Sequence, residues 1–84
     1  MMSQITIKIE SFGAIERLLP ANLSLTCFVQ QSIAEVLQQV TDQFPESFSM
    51  LQRCACAIGE DIVPRQTALI QDSTVVLLSP VAGG

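Results

Sequence analysis

Few residues in this chain could do chemistry, and most of the usual sets are missing. There is no histidine, which removes the commonest general base and the usual partner of a serine or cysteine nucleophile. Cys54-Ala55-Cys56 has one residue between its thiols, where redox and zinc motifs place two. In a strand that spacing sends both sulfurs to one face. Cys27 is the one further thiol, so a four-ligand zinc site would need carboxylates to complete it. The expectation is three buried thiols packed as small hydrophobes, and no metal. The carboxylates are scattered, and Glu60-Asp61 reads as a solvated turn. Gly13 and Gly59 stand alone, so there is no glycine-rich phosphate loop. What remains is the segment Pro80-Val81-Ala82-Gly83-Gly84.

Two adjacent glycines arise by chance at a given place in roughly one chain in two hundred. Here they follow an apolar run that ends at Ser79-Pro80. Proline stops a strand because it has no N–H to donate, and five extended residues beyond it reach about 17 Å. A carboxylate carried into another protein's narrow channel needs neighbours without side chains and with free backbone angles, which glycine supplies. Once activated and converted to a thiocarboxylate, such a group is a nucleophile or sulfur donor that the resting carboxylate is not. A frayed terminus of small residues has the same composition. The strand and proline before the glycines favour Gly84 as a reagent delivered to a partner.

The elements that would hold this segment are legible from periodicity. Ile5, Ile7 and Ile9 alternate with Thr6, Lys8 and Glu10, the period of a half-buried strand over Gln4 to Ser11. Ile15 to Leu19 reads as a short helical turn stopped by Pro20. Leu23, Leu25, Cys27 and Val29 alternate again, a second strand able to pair antiparallel with the first. Ser32 and Glu35 have capping-box spacing. Ile33, Val36, Leu37, Val40 and Phe44 then mark one helical face, and Pro45 limits the helix. After a polar connection, Cys54 to Ile58 is a third strand, Gly59-Glu60-Asp61 its turn and Ile62-Val63 a short return. Gln71-Asp72-Ser73 is a turn. Thr74 to Ser79 is a continuous apolar strand, expected in the middle of a sheet with both faces covered. The order implies an α+β domain in the β-grasp, or ubiquitin-like, arrangement: a mixed sheet of four to five strands on one main helix. Residues 1–79 would form the domain and 80–84 an extended tail.

Composition bounds the rest. Eighty-four residues, 49% of them apolar, with no Trp or Tyr, make one small aliphatic-cored domain. The net charge is −4, with Lys8, Arg17, Arg53 and Arg65 the only cations, too few and too scattered for a nucleic-acid surface. An acidic surface suits solubility and also docking onto a basic partner. No apolar run is long enough to cross a bilayer, so no membrane role is expected. Met1 to Glu10 lacks the features of a signal peptide. With an odd number of cysteines, the expected location is the cytoplasm.

The run Val75-Val76-Leu77-Leu78-Ser79-Pro80-Val81-Ala82-Gly83-Gly84 resembles the end of the molybdopterin synthase small subunit, where an apolar strand enters a Pro-Val-x-Gly-Gly tail. Phe12-Gly13-Ala14 with Arg17-Leu18-Leu19 resembles that family's first loop and short helix. The Ser32 to Pro45 helix and Cys56-Ala57-Ile58-Gly59-Glu60 fall at matching places. The resemblance implies a subunit that is no enzyme on its own and serves as the sulfur-donating half of a two-component sulfurtransferase. A ubiquitin-activating-type adenylyltransferase would use ATP and Mg²⁺ to adenylate Gly84, this chain binding no cofactor itself, and a sulfur donor protein would make the thiocarboxylate. The tail would then enter the large subunit and pass sulfur to cyclic pyranopterin monophosphate in molybdenum cofactor biosynthesis. On that pattern Gly83 gives clearance, Pro80, Val81 and Ala82 dock, and Leu78 helps anchor the partner. The chain departs from the pattern at Leu77-Leu78-Ser79, where the family often has aromatics and a second proline, and at Gln71-Asp72-Ser73, where it usually has Asp-Gly-Asp. The alternatives are the sulfur carrier of thiamine thiazole synthesis, which tends to lack the Pro80 equivalent, and a ubiquitin-like protein modifier.

Overall fold

The structure, a computed structural model, describes residues 3–80. Strand β1 (Gln4–Phe12) alternates outward and inward as its isoleucines dictate, with Ile5, Ile7 and Ile9 buried. A short 3-10 turn, Ala14–Arg17, buries Ile15, and β2 (Leu23–Phe28) returns antiparallel, from Gln4 opposite Phe28 to Ile9 opposite Leu23.

Helix α1 (Ile33–Gln43) starts where its capping box predicts. The Ser32 hydroxyl accepts the Glu35 N–H at 3.2 Å, and the Glu35 carboxylate accepts the Ser32 N–H at 3.2 Å. Ile33, Val36, Leu37 and Val40 are buried, and Phe44, at the C-cap, packs against the core from its rim. The chain then differs from the expected polar connection. Pro45–Ser47 forms a 3-10 turn and α2 (Phe48–Leu51) one helical turn, with Leu51 and Ser47 buried. Pro45 ends α1 but suits the first turn of a new helix, because the missing N–H is an orphan there anyway. Ser47 is tolerated inside because its hydroxyl donates to the Phe44 carbonyl at 2.7 Å.

Strands β3 (Ala55–Ile58), β4 (Asp61–Val63) and β5 (Ser73–Leu78) complete one sheet, ordered β2-β1-β5-β3-β4. The β1–β5 pair is parallel and the others are antiparallel. This mixed sheet wrapped on one main helix is the ubiquitin-like β-grasp fold, and β5 lies at its centre as the apolar run implies.

One expectation about β5 fails. Its inner face is fully covered at Val75 and Leu77, but Val76 is half-buried and Leu78 exposed. Among the described residues the one main helix, α1, lies on the inner side. An unbroken apolar run reads the same whether its second face is covered by this chain or left open, so the sequence pattern alone overstates the burial.

Candidate functional site

On the outer face of the sheet several apolar side chains go without cover, as Phe48 and Ile70 do elsewhere. On β1 the outward positions are polar until the strand's end, where Phe12 breaks the series. Register sets Phe12 beside Leu78, and Leu78 beside Ala55. The next row runs Glu10, Val76, Ala57 and Ile62. Phe12, Leu78 and Ile62 are 51%, 36% and 65% exposed, so two adjacent rows spanning four strands present an apolar surface. Scattered exposed hydrophobes need no explanation, whereas a contiguous patch is a mark of an interaction surface.

This patch lies at the end of β5, next to Ser79 and Pro80. The resemblance singles out Leu78 as a partner anchor; register puts Phe12 beside it and Val76 and Ile62 in the next row, residues that sequence reasoning passed over. The missed signal was available: an aromatic on the polar face of an alternating strand. Pro80 is exposed. Val81, Ala82, Gly83 and Gly84 lie outside the described residues.

Beyond β5, Ser79 remains tied to the β1 end: its N–H donates to the Phe12 carbonyl at 3.0 Å. The hydroxyl donates to the same carbonyl at 2.8 Å and accepts the Ile15 N–H at 3.1 Å. Ser79, the residue before Pro80, is therefore itself held against the Phe12–Ile15 turn.

Among the described residues, the remaining candidates do not come together as a catalytic set. Cys27, Cys54 and Cys56 are free and buried, as expected. Burial pushes the Cys54 and Cys56 thiols up, partly offset by the Arg65 charge; burial and then the Glu35 charge push Cys27 up. The nucleophilic thiolate is disfavoured at all three. Among the described residues, no group of three or more Cys, Asp or Glu is placed to hold a metal ion. A hollow of about 260 Å³ beside Phe12 is lined by Glu10, Ser11 and Glu16, among others. The buried Ser11 hydroxyl meets no hydrogen-bond partner there, so neither carboxylate is placed to activate it. No helix of the described residues is long and apolar enough to cross a membrane.

Comparison with known proteins agrees with the fold. SAMP1, a small archaeal modifier protein, from Haloferax volcanii superposes with a TM-score of 0.82 at 11% identity, covering 94% of this chain and 99% of that one. A chain from the complex of subunits 1 and 2 of molybdopterin-converting factor of Helicobacter pylori gives 0.62 at 22% identity, covering 95% and 100%. The ubiquitin of Caldiarchaeum subterraneum gives 0.65 at 15% identity, covering 98% and 100%. No curated protein matches the chain in sequence. The model of the ThiS family matches residues 24–84, from β2 through Gly84, and the chain therefore belongs to the ThiS family.

Proposed function

We propose that this chain is the sulfur-carrier subunit of a molybdopterin synthase, with Gly84 carrying the sulfur. The carboxylate oxygen of Gly84 attacks the α-phosphorus of ATP in an adenylyltransferase of the ubiquitin-activating type, which also binds the Mg²⁺, and pyrophosphate leaves. The terminal sulfur of a donor protein's persulfide attacks the acyl carbon and displaces AMP, and a second donor thiol then cleaves the acyl disulfide, leaving a thiocarboxylate on Gly84 and a disulfide on the donor. Pro80, Val81, Ala82 and Gly83 then carry that group into the large subunit, where its sulfur attacks cyclic pyranopterin monophosphate and water cleaves the resulting thioester, leaving the sulfur on the pterin and the carboxylate on Gly84. Catalysis belongs to the partners, and this chain supplies the reagent and the surface that docks it.

The observation that carries this reading is the family match running through Gly84, joined to an apolar patch at the root of that same segment. The patch and the net charge of −4 suit a partner with an apolar contact ringed by basic groups. A cytoplasmic setting fits three free cysteines in so small a chain.

The test is intact mass after incubation with the activating enzyme, ATP and a sulfur donor. The expected product is heavier by the exchange of one oxygen for one sulfur, and deleting Gly84 abolishes it. An unchanged mass rejects the carrier reading. Titration against the synthase large subunit and against a thiazole synthase separates the molybdenum and thiamine pathways. Gly-Gly remnants on target lysines would instead point to a protein modifier.

A further inference from the structure

The path from β5 into the tail passes through a small polar clamp. Ser79 lies one residue beyond β5, yet its N–H and hydroxyl both donate to the Phe12 carbonyl, at 3.0 and 2.8 Å. A carbonyl oxygen has two lone pairs, so one acceptor serves both donors. The same hydroxyl accepts the Ile15 N–H at 3.1 Å, one of the N–H groups that the start of a helical turn leaves unpaired.

The turn is shaped to receive that hydroxyl. Gly13 has φ +90°, a conformation that side chains disfavour, and a Cβ added there would collide with Ser79 Oγ. Glu16 braces the turn: its carboxylate accepts the Gly13 N–H at 3.1 Å, and its N–H donates to the Gly13 carbonyl at 3.1 Å. Leu78 would be held by the sheet ladder without any of this. The clamp acts only on the residues after Leu78.

We propose that Ser79, seated by Gly13, is a positioning residue that fixes the direction in which the chain leaves the sheet toward Gly84. The role rests on the carrier reading above. A segment that must thread a partner's channel pays in lost conformational freedom for every residue free to swing at its root, and the clamp removes one such residue before the encounter. Its loss raises the concentration of carrier needed to saturate the activating enzyme without altering the chemical step.

The experiment compares the wild-type chain with S79A, S79T and G13A as substrates of the activating enzyme, alongside amide exchange at Ile15 and Ser79. S79A is expected to speed exchange at both amides and raise KM about fivefold while kcat stays within about twofold. S79T, which keeps the hydroxyl, restores KM. G13A raises KM like S79A, and the double variant adds little more, because both changes remove one contact. An S79A KM equal to wild type overturns the positioning role and leaves the carrier reading standing. A wild-type chain that never gains sulfur, with exchange still faster in S79A, overturns the carrier reading and reduces the clamp to a structural turn. If G13A fails to fold, the S79A and S79T pair decides the matter.

Discussion

Along β5 consecutive residues lead different lives. Val75 and Leu77 are sealed against α1 and the rest of the core, while Val76 and Leu78, equally apolar, face outward among Phe12 and Ile62. Strand geometry forces the alternation, but it does not require apolar residues on both sides. A monomer with one solvated face would gain from polar residues at 76 and 78, and β1 has them at Thr6, Lys8 and Glu10. The inner residues are thus explained by folding alone. Folding alone does not explain the outer ones, and on the proposed reading the large subunit would cover them.

The largest effect that would sharpen this contrast is on stability. Leu77→Ala removes a fully buried side chain from the cluster that includes Ile7, Val36 and Val75. It should cost about 3 kcal/mol, read from chemical denaturation. The paired outer change, Leu78→Asp or Phe12→Asp, should cost less than about 1 kcal/mol, yet weaken the large subunit's binding by at least about thirtyfold in calorimetric titration. Similar losses of stability on the two faces would break the comparison, and so would unchanged binding.

A smaller effect concerns how the inner face is closed beneath β3. The Arg65 guanidinium donates to the carbonyl of Cys54 at 2.8 Å and also to that of Leu51. It ties the end of α2 to the start of β3. Cys54 lies buried in that joint, its thiol donating to the Met50 carbonyl at 3.3 Å. Arg65→Ala should cost about 1 kcal/mol, since water replaces part of what the half-exposed guanidinium gave. Alkylation of Cys54, slow in the native protein because the thiol is buried and its pKa raised, should quicken about fivefold as the joint opens more often. Raising pH through the ordinary thiol range lowers stability for the same reason: the unfolded thiols ionise before the native ones do.

The sequence carried the inner face well and the outer face poorly. Ile5, Ile7 and Ile9, the Ser32–Glu35 capping box and the stripe from Ile33 to Val40 all fall where periodicity puts them, because each follows from local geometry and a single buried side. The turn at Ser47 and α2 were hidden by polar residues whose partners are local backbone carbonyls. Leu78 was read as a partner contact by resemblance alone, while Phe12, Val76 and Ile62 come together only through the parallel β1–β5 register, the β3–β5 pairing and the β3–β4 hairpin. Ser79 was hidden for the same reason. Its partners Phe12 and Ile15 lie more than sixty residues away in sequence, and no spacing rule reaches that far.

The smallest effect lies at α1, whose inner stripe follows a cap completed by the exposed Glu35. The Glu35 carboxylate accepts from the Gln31 side chain at 3.0 Å and from the Ser32 N–H at 3.2 Å. These bonds, Gln31 first, hold its pKa below the ordinary carboxylate value. A depressed native pKa means that the unfolded chain takes up the proton first as pH falls. The contribution is therefore whole above the ordinary carboxylate range and is lost as pH falls through the native value. Glu35→Gln keeps a side chain able to cap Ser32 but removes the titration. Denaturation midpoints of wild type and E35Q, measured from neutral pH down into that range, should converge as the pH falls. Parallel curves would mean that the inner face holds α1 in place without help from its exposed cap.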